Sequence, residues 1–235
     1  VDGACRPVVE TCVGAKGARS ACAKDEHARV EVARDDDGNV VSRRFFGATG
    51  EPSIDPDYSV FEMRTSRDGR GRVVSESCFD VGGKAVECKD TGYHRSAKTL
   101  DDAGRITLVH FFDEAGKRTT NLGTYEARYT YDNYDHLVEV AYLDETGKPT
   151  STLGASSQKT LYDAGHRVFA VLMYAGAEPA SYQGCFTGRV CPSDPWHAVR
   201  VERSDSGELV ANHFYDANKQ FMQAIDCRKK RCFGL

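Results

Sequence analysis

The stretch 95–123, RSAKTLDDAGRITLVHFFDEAGKRTTNLG, decides the fold. It reads as a strand, a tight turn, a second strand, a second tight turn and a short extended exit. Asp and Gly punctuate both turns: Asp accepts local backbone hydrogen bonds, and Gly takes the positive φ with which such a turn closes. An aliphatic residue follows the first turn, and six residues later comes a position that is usually aromatic. The pair recurs as Val40/Phe46, Val73/Phe79, Ile106/Phe112, Leu137/Leu143, Val168/Tyr174 and Leu209/Tyr215. The steps between copies are 33, 33, 31, 31 and 41 residues. Self-similarity at such a period is the signature of a repeat architecture.

Working outward, the copies occupy 27–60, 61–94, 95–127, 128–157, 158–198 and 199–235. In the first, HARVEVAR places Val30 and Val32 on one side and charges on the other, the alternation of a half-buried strand. Copy four replaces the first-turn glycine, so Asn133 or Asp135 must carry the left-handed conformation. Copy five keeps YDAGHRV, erodes its second turn to YAGAEP and carries an insertion with Cys185, Cys191, Pro192, Pro195 and Trp196. Strands of five to eight residues joined by short turns predict antiparallel hairpins. The fold class expected is all-β: tandem hairpin repeats in one twisted meander. Residues 1–26 hold three cysteines and no repeat, and are expected to form a leader that caps the array, with 27–235 as the repeat domain.

The unit resembles the YD-type repeats of bacterial RHS-like proteins. The residues that carry the likeness are Tyr131-Asp132, Tyr162-Asp163 and Asp102-Ala103-Gly104-Arg105, completed by the second-turn elements FDEAGK (112–117) and LDETGKP (143–149). It covers about 30–219, with a longer unit and extra cysteine pairs as departures. The resemblance implies a β-sheet shell or array on exported or surface proteins, acting as scaffold, adhesin or encapsulating wall, with no catalytic residues in the repeats.

Composition agrees with a folded, water-exposed chain. Of 235 residues, 40% are hydrophobic and 28% charged. A formal net charge of -4 argues against nucleic acid as a partner, and no apolar run is long enough for a transmembrane helix. The chain opens at Val1 rather than Met, which fits a trimmed export signal and equally a recombinant truncation.

Nine cysteines are the most informative bulk feature. Six fall into close pairs, Cys78/Cys88, Cys185/Cys191 and Cys227/Cys232, as local disulfides do. Disulfides imply an oxidising compartment, so the expected location is extracellular, at the cell surface or periplasmic. Cys5, Cys12 and Cys22 can form one bond and leave one residue over, either as a free thiol or as a covalent link to a second copy.

Candidate sites are few. Asp35-Asp36-Asp37-Gly38 could open a calcium loop, but the twelfth position is Phe46, so a turn is expected. His110 and His213 share one column, two residues before the aromatic, and sheet packing is expected of both. The aromatic column could be a stacking platform; because its neighbour column is also bulky, a core role is expected. Trp196, stiffened by two prolines, is either a binding anchor or folded over the edge of its repeat. Arg228, Lys229, Lys230 and Arg231 between two cysteines would attract an anionic surface or acidic partner, or form a solvated hairpin tip. No cofactor or metal is expected, and no motif for a nucleophile or zinc enzyme occurs. The function expected is a non-catalytic scaffold or binding protein. A disulfide- or strand-linked filament subunit and a secreted glycan hydrolase are the alternatives.

Overall fold

The computed structural model describes residues 9–11, 28–55, 59–88, 91–182, 194–204 and 206–226. Every regular element among them is a strand. The chain divides into two compact units, Val1–Asn121 and Leu122–Leu235. The first holds β1 (Val9–Thr11), β2 (Arg29–Arg34), β3 (Val40–Phe46), β4 (Glu62–Arg67), β5 (Val73–Phe79), β6 (Arg95–Leu100), β7 (Ile106–Phe112) and β8 (Arg118–Thr119). The second holds β9 (Glu126–Tyr131), β10 (Leu137–Leu143), β11 (Ser157–Tyr162), β12 (Val168–Ala175), β13 (Glu178–Pro179), β14 (Ala198–Arg203), β15 (Leu209–Tyr215) and β16 (Phe221–Asp226). Within each unit the pairing is antiparallel and sequential, with β8 and β13 as side branches on β7 and β12.

The six aliphatic/aromatic pairs open β3, β5, β7, β10, β12 and β15 and, save in β12, also close them. One backbone bond repeats with them. Ala28, Phe61, His94, Tyr125, Ser156 and His197 donate N–H to the carbonyls of Phe46, Phe79, Phe112, Leu143, Tyr174 and Tyr215. The same hairpin has therefore been built six times, as the spacing requires.

The first turn shows why the spacing holds. In copy three, Asp101 N–H donates to Arg105 O and Gly104 N–H to Asp101 O, both at 3.0 Å, while Asp101 Oδ1 accepts from Arg105 N–H at 2.9 Å. That is a type I turn closed by a left-handed residue and a bulge, the geometry of a three-residue hairpin loop. Asp35, Asp68, Asp132 and Asp163 cap their turns in the same way. In copy four the left-handed residue is Asp135, at φ 67°. In copy five it is His166, at φ 62°, and not the neighbouring Gly165. Asp35 thus spends its carboxylate on Asn39 rather than on a calcium loop. Among the described residues no three His, Cys, Asp or Glu lie close enough to hold a metal ion.

Adjacent strand residues point to opposite faces. The deeper column is Phe45, Cys78, Phe111, Met173 and Phe214, all buried. The exits bond beside it: Ser53, Val86, Thr150 and Ala180 donate N–H to Phe45, Cys78, Tyr142 and Met173. The exits also stack on one another. Gly92 lies against Thr120 O, Gly123 against Ser151 O and Gly154 against Ser181 O, and the hydroxyls of Thr124 and Thr152 bond in a buried contact.

The aromatic column expected to be core is instead half-buried for Phe46, Phe79, Phe112, Tyr174 and Tyr215. It lies on the opposite, open face, under cations. Arg29 sits 4.3 Å from the centre of Phe46, Arg64 3.7 Å from Phe79, Arg95 3.8 Å from Phe112 and Lys159 5.3 Å from Tyr174. The physical reason is that this face is finished with amphipathic side chains whose stems cover rings and whose charges meet water.

Cys78 and Cys88 form a disulfide with Cα atoms 5.5 Å apart, closing the exit of copy two onto the deep column. The remaining cysteines, Cys5, Cys12, Cys22, Cys185, Cys191, Cys227 and Cys232, and the basic run Arg228, Lys229, Lys230, Arg231 lie outside the described residues. Of the predicted leader, β1 is described, and it pairs with β2.

Candidate functional site: a groove in the open face

The cationic roof fails at the sixth copy. Two positions supply its cations: the residue directly opposite the ring (Arg29 to Phe46, Arg95 to Phe112) and the residue two further along the strand (Arg64 to Phe79, Lys159 to Tyr174). At Tyr215 the opposite residue is Ala198, which has nothing to reach with. The residue two further along is Arg200, and its guanidinium turns to Phe169, 5.4 Å from that ring. Among the described residues Tyr215 meets the ring of Phe221, 6.0 Å away, and no cation.

Phe169 is there because of a second local substitution. Each first hairpin carries one bulge residue on its second strand; these are Val41, Val74, Thr107, Val138, Phe169 and Val210. A bulge re-aims its side chain, and at copy five that side chain is a phenyl ring, 42% exposed. In the register of these strands Ala170 stands opposite Arg200 and Ala211 opposite Glu202.

The result is an open groove of about 530 Å³ across β12, β14 and β15, lined by Phe169, Arg200, Glu202, Arg203, His213 and Tyr215 among others. Its volume lies in the range of ligand sites. His213, directly opposite Arg200, bonds Glu202 through Nε2 and Oε2 at 2.6 Å. Arg203 donates to Gly207 O at 3.2 Å, tying it to its own turn. Asp163, at the rim, accepts from the N–H of Arg167 and is bonded by its guanidinium, which together hold the carboxyl below its usual range. Arg200 has no carboxylate partner among the described residues, and neither has Arg203. The groove therefore offers two ring surfaces, a hydrogen-bonding imidazole–carboxylate pair and two guanidinium groups, Arg200 and Arg203, with no carboxylate partner.

The residues singled out in the sequence fall elsewhere. Trp196 is 1% exposed and packs edge-on against Tyr182 and Phe214, at 5.4 and 5.6 Å between ring centres. It belongs to the core of the second unit with Val171, Met173 and Val199, so it presents no surface to a partner. His110 and His213 do share a register position, opposite Ala97 and Arg200 respectively. Tyr215 was singled out as a member of the aromatic column, while the groove residues Phe169, Arg200 and Glu202 were not. The signal was available: Ala198 stands in the column occupied by Arg29, Glu62, Arg95, Glu126 and Ser157, and Phe169 stands among valines and a threonine.

No family model matches the chain, and no curated protein matches it. Among solved structures it is similar to TcdB2-TccC3 without the hypervariable C-terminal region, at 12% identity and a TM-score of 0.36 over 80% of this chain. It is similar to TcdB2-TccC3-Cdc42 at 12% identity and a TM-score of 0.35, again over 80% of this chain. The chain spans 9% of each of those chains. Likeness this slight carries nothing about function.

Proposed function

We propose that this chain is an exported, non-catalytic β-repeat scaffold that offers the groove of its second unit to a partner. The observation that supports it is the break in the cationic roof. A face finished with Arg and Lys over its rings in copies one, two, three and five is left open at Tyr215, beside an arginine with no counter-ion. Most carboxylates that the hairpins place in register are engaged in capping turns, a structural use. The Cys78–Cys88 bond supports an oxidising compartment, hence export.

The hydrolase reading has one observation in its favour, the Glu202–His213 pair inside a groove. The two readings part on turnover. Purified protein incubated with glycan and peptide pools should retain ligand saturably and return it with unchanged mass. Products that appear with time, and vanish in Glu202→Gln, would overturn the scaffold reading. A ladder of covalent species on a non-reducing gel, collapsing with reductant, would favour the filament.

A further inference from the structure

We infer that His136 and His166 together bind a divalent transition-metal ion, zinc or copper(II), at the first-turn edge of the second unit. Neither residue lines the groove, so the site goes beyond the scaffold reading and does not depend on it.

Two departures from the repeat meet there. In each first turn one residue is left-handed and the next closes the loop. The left-handed residues are Gly38, Gly71, Gly104, Asp135, His166 and Gly207. They lie against the closing residue of the preceding turn. A Cβ built on Gly71 would lie 3.8 Å from Asn39, on Gly104 3.4 Å from Arg72 and on Gly207 3.0 Å from Arg167. In copy five the left-handed residue is His166, although Gly165 stands beside it. In copy four the closing residue is His136, where copies two, three and five have Arg72, Arg105 and Arg167. The two histidines therefore meet at one inter-turn contact, with ring centres 5.0 Å apart. Neither imidazole is demanded by its turn, since glycine and arginine fill the same two positions in copies two and three.

The rings are presented as metal ligands are. His136 Nδ1 lies 2.9 Å from Asp132 Oδ2. A carboxylate accepts, so Nδ1 carries the hydrogen and Nε2 keeps its lone pair on the other side of the ring. A carboxylate behind a histidine is a common way to orient a metal-binding imidazole. Tyr162 stacks on His136 at 4.3 Å and 17°, which fixes the ring plane, while its own hydroxyl donates to Leu137 O at 3.2 Å. Tyr134 meets the His166 ring at 4.8 Å. His166 is exposed, and no described residue hydrogen-bonds its ring. Two imidazoles on one zinc, each nitrogen about 2.0–2.1 Å from the metal, bring their ring centres to about 5 Å. That is the separation found here. No third His, Cys, Asp or Glu joins them among the described residues, so water fills the remaining positions. Neutral imidazoles select zinc or copper(II) over magnesium or calcium, which take oxygen ligands.

The test is a titration of the full nitrogen-labelled chain with zinc chloride at neutral pH, followed through its imidazole resonances. The rings of His136 and His166 should shift together along one saturable curve, and magnesium chloride should move neither. His136→Asn copies Asn39, which bonds Asp35 in the same turn position of copy one, and His166→Gly copies Gly104. Both variants should fold with an unchanged circular-dichroism spectrum, and they assign the two rings. Each should weaken the zinc response of the remaining ring at least tenfold. Should either fail to fold, His136→Arg or His166→Asn takes its place. Rings that shift at different zinc concentrations, or a ring whose response survives loss of the other, overturn the shared site and leave a structural ring stack. An equal response to magnesium, or no shift in either ring up to millimolar zinc, overturns the inference outright.

Discussion

Gly154 is held by two separate constraints. Its φ is +98°, and a Cβ there would sit 2.2 Å from Ser181 O, a backbone atom of the next exit. Gly147 shares only the first: φ is +80° and nothing lies within 4 Å. Alanine at 147 should cost about 1–2 kcal/mol, the penalty of the left-handed region. Alanine at 154 should cost about 3 kcal/mol or more, because the exit stack must also open. Urea unfolding of the two variants measures the difference, and equal losses would mean that the exits do not pack on each other. Glu62 is the other residue whose environment makes a firm demand. It is 3% exposed, yet accepts from Ser42 Oγ at 2.6 Å and from Arg64 at 2.9 Å, with Arg44 at 3.3 Å. Burial alone would raise its pKa; the bonds from Arg64 and Ser42 and the charges of Arg64 and Arg44 outweigh it, so the pKa is lowered. A lowered carboxyl contributes stability above its unfolded pKa and loses it as pH falls through the folded value. Glu62→Gln should therefore cost about 1–2 kcal/mol at neutral pH, since Arg44 and Arg64 are half-exposed and return to water. The gap should narrow as pH falls below the ordinary glutamate value and close once the folded carboxyl is itself protonated. A loss that stays constant with pH would point to packing instead of charge.

The exit is the element that makes this hairpin unit more than a meander. In copy two it is pinned by Cys78–Cys88, a bond spanning 10 residues. Closing a loop of that size removes roughly 2–3 kcal/mol of chain entropy from the unfolded state. Cys88→Ala should lose about that much in urea unfolding, with exchange protection falling first around Val60, Val86 and Tyr93, which pack on the bond. Uniform loss across the first unit would show that the exit is not a separable layer. The hairpins were legible because each is specified locally: an Asp that caps, a residue that takes positive φ, and a period of two in between. The bounds of β3, β5, β7, β10 and β15 follow from the sequence alone. Exits were legible as segments, but their pairing as β8 and β13 was not, since two-residue strands carry no periodicity. Residues 221–226 were not read as a strand, yet they form β16. Trp196 was legible as exceptional, with a binding anchor and a folded-over ring both open; the sequence could not choose between them because what covers it, Tyr182 and Phe214, comes from other elements. The groove is the same case. It arises from a bulge phenylalanine and a re-aimed arginine on neighbouring strands, and becomes visible only when the copies are laid in register.

Across the whole chain, one carboxylate is reused in the same place at successive turns. Asp68, Asp101 and Asp163 are lowered chiefly by the backbone N–H of Arg72, Arg105 and Arg167. For Asp144 the Thr146 hydroxyl is the main cause. At Asp35 and Asp132 burial pulls upward and is outweighed by hydrogen bonds from Asn39 and His136. The turns also tie neighbouring copies together: Arg72 donates to Asp101 O at 2.9 Å, and His136 stacks on Tyr162 with ring centres 4.3 Å apart. In an array stabilised by nearest-neighbour contacts, protonating every cap weakens each copy and its interfaces at once. The sign is the same for all of them. Each pKa is lowered on folding from an ordinary value of 3.8, so the stability that the caps supply is complete above that pH and is lost as pH falls below it. The urea midpoint should be flat from pH 7 to about 5 and then fall steeply below pH ~4. Asp101→Asn keeps the acceptor for Arg105 N–H and gives up the charge, so its midpoint should be lower at pH 7 and converge on the wild type in acid. High salt should reproduce little of the acid effect, because bonds at 2.7–2.9 Å are screened far less than distant charges. A midpoint that holds unchanged to pH ~3 would mean that the caps are ornamental to stability and that the exits and deep column carry the array by themselves.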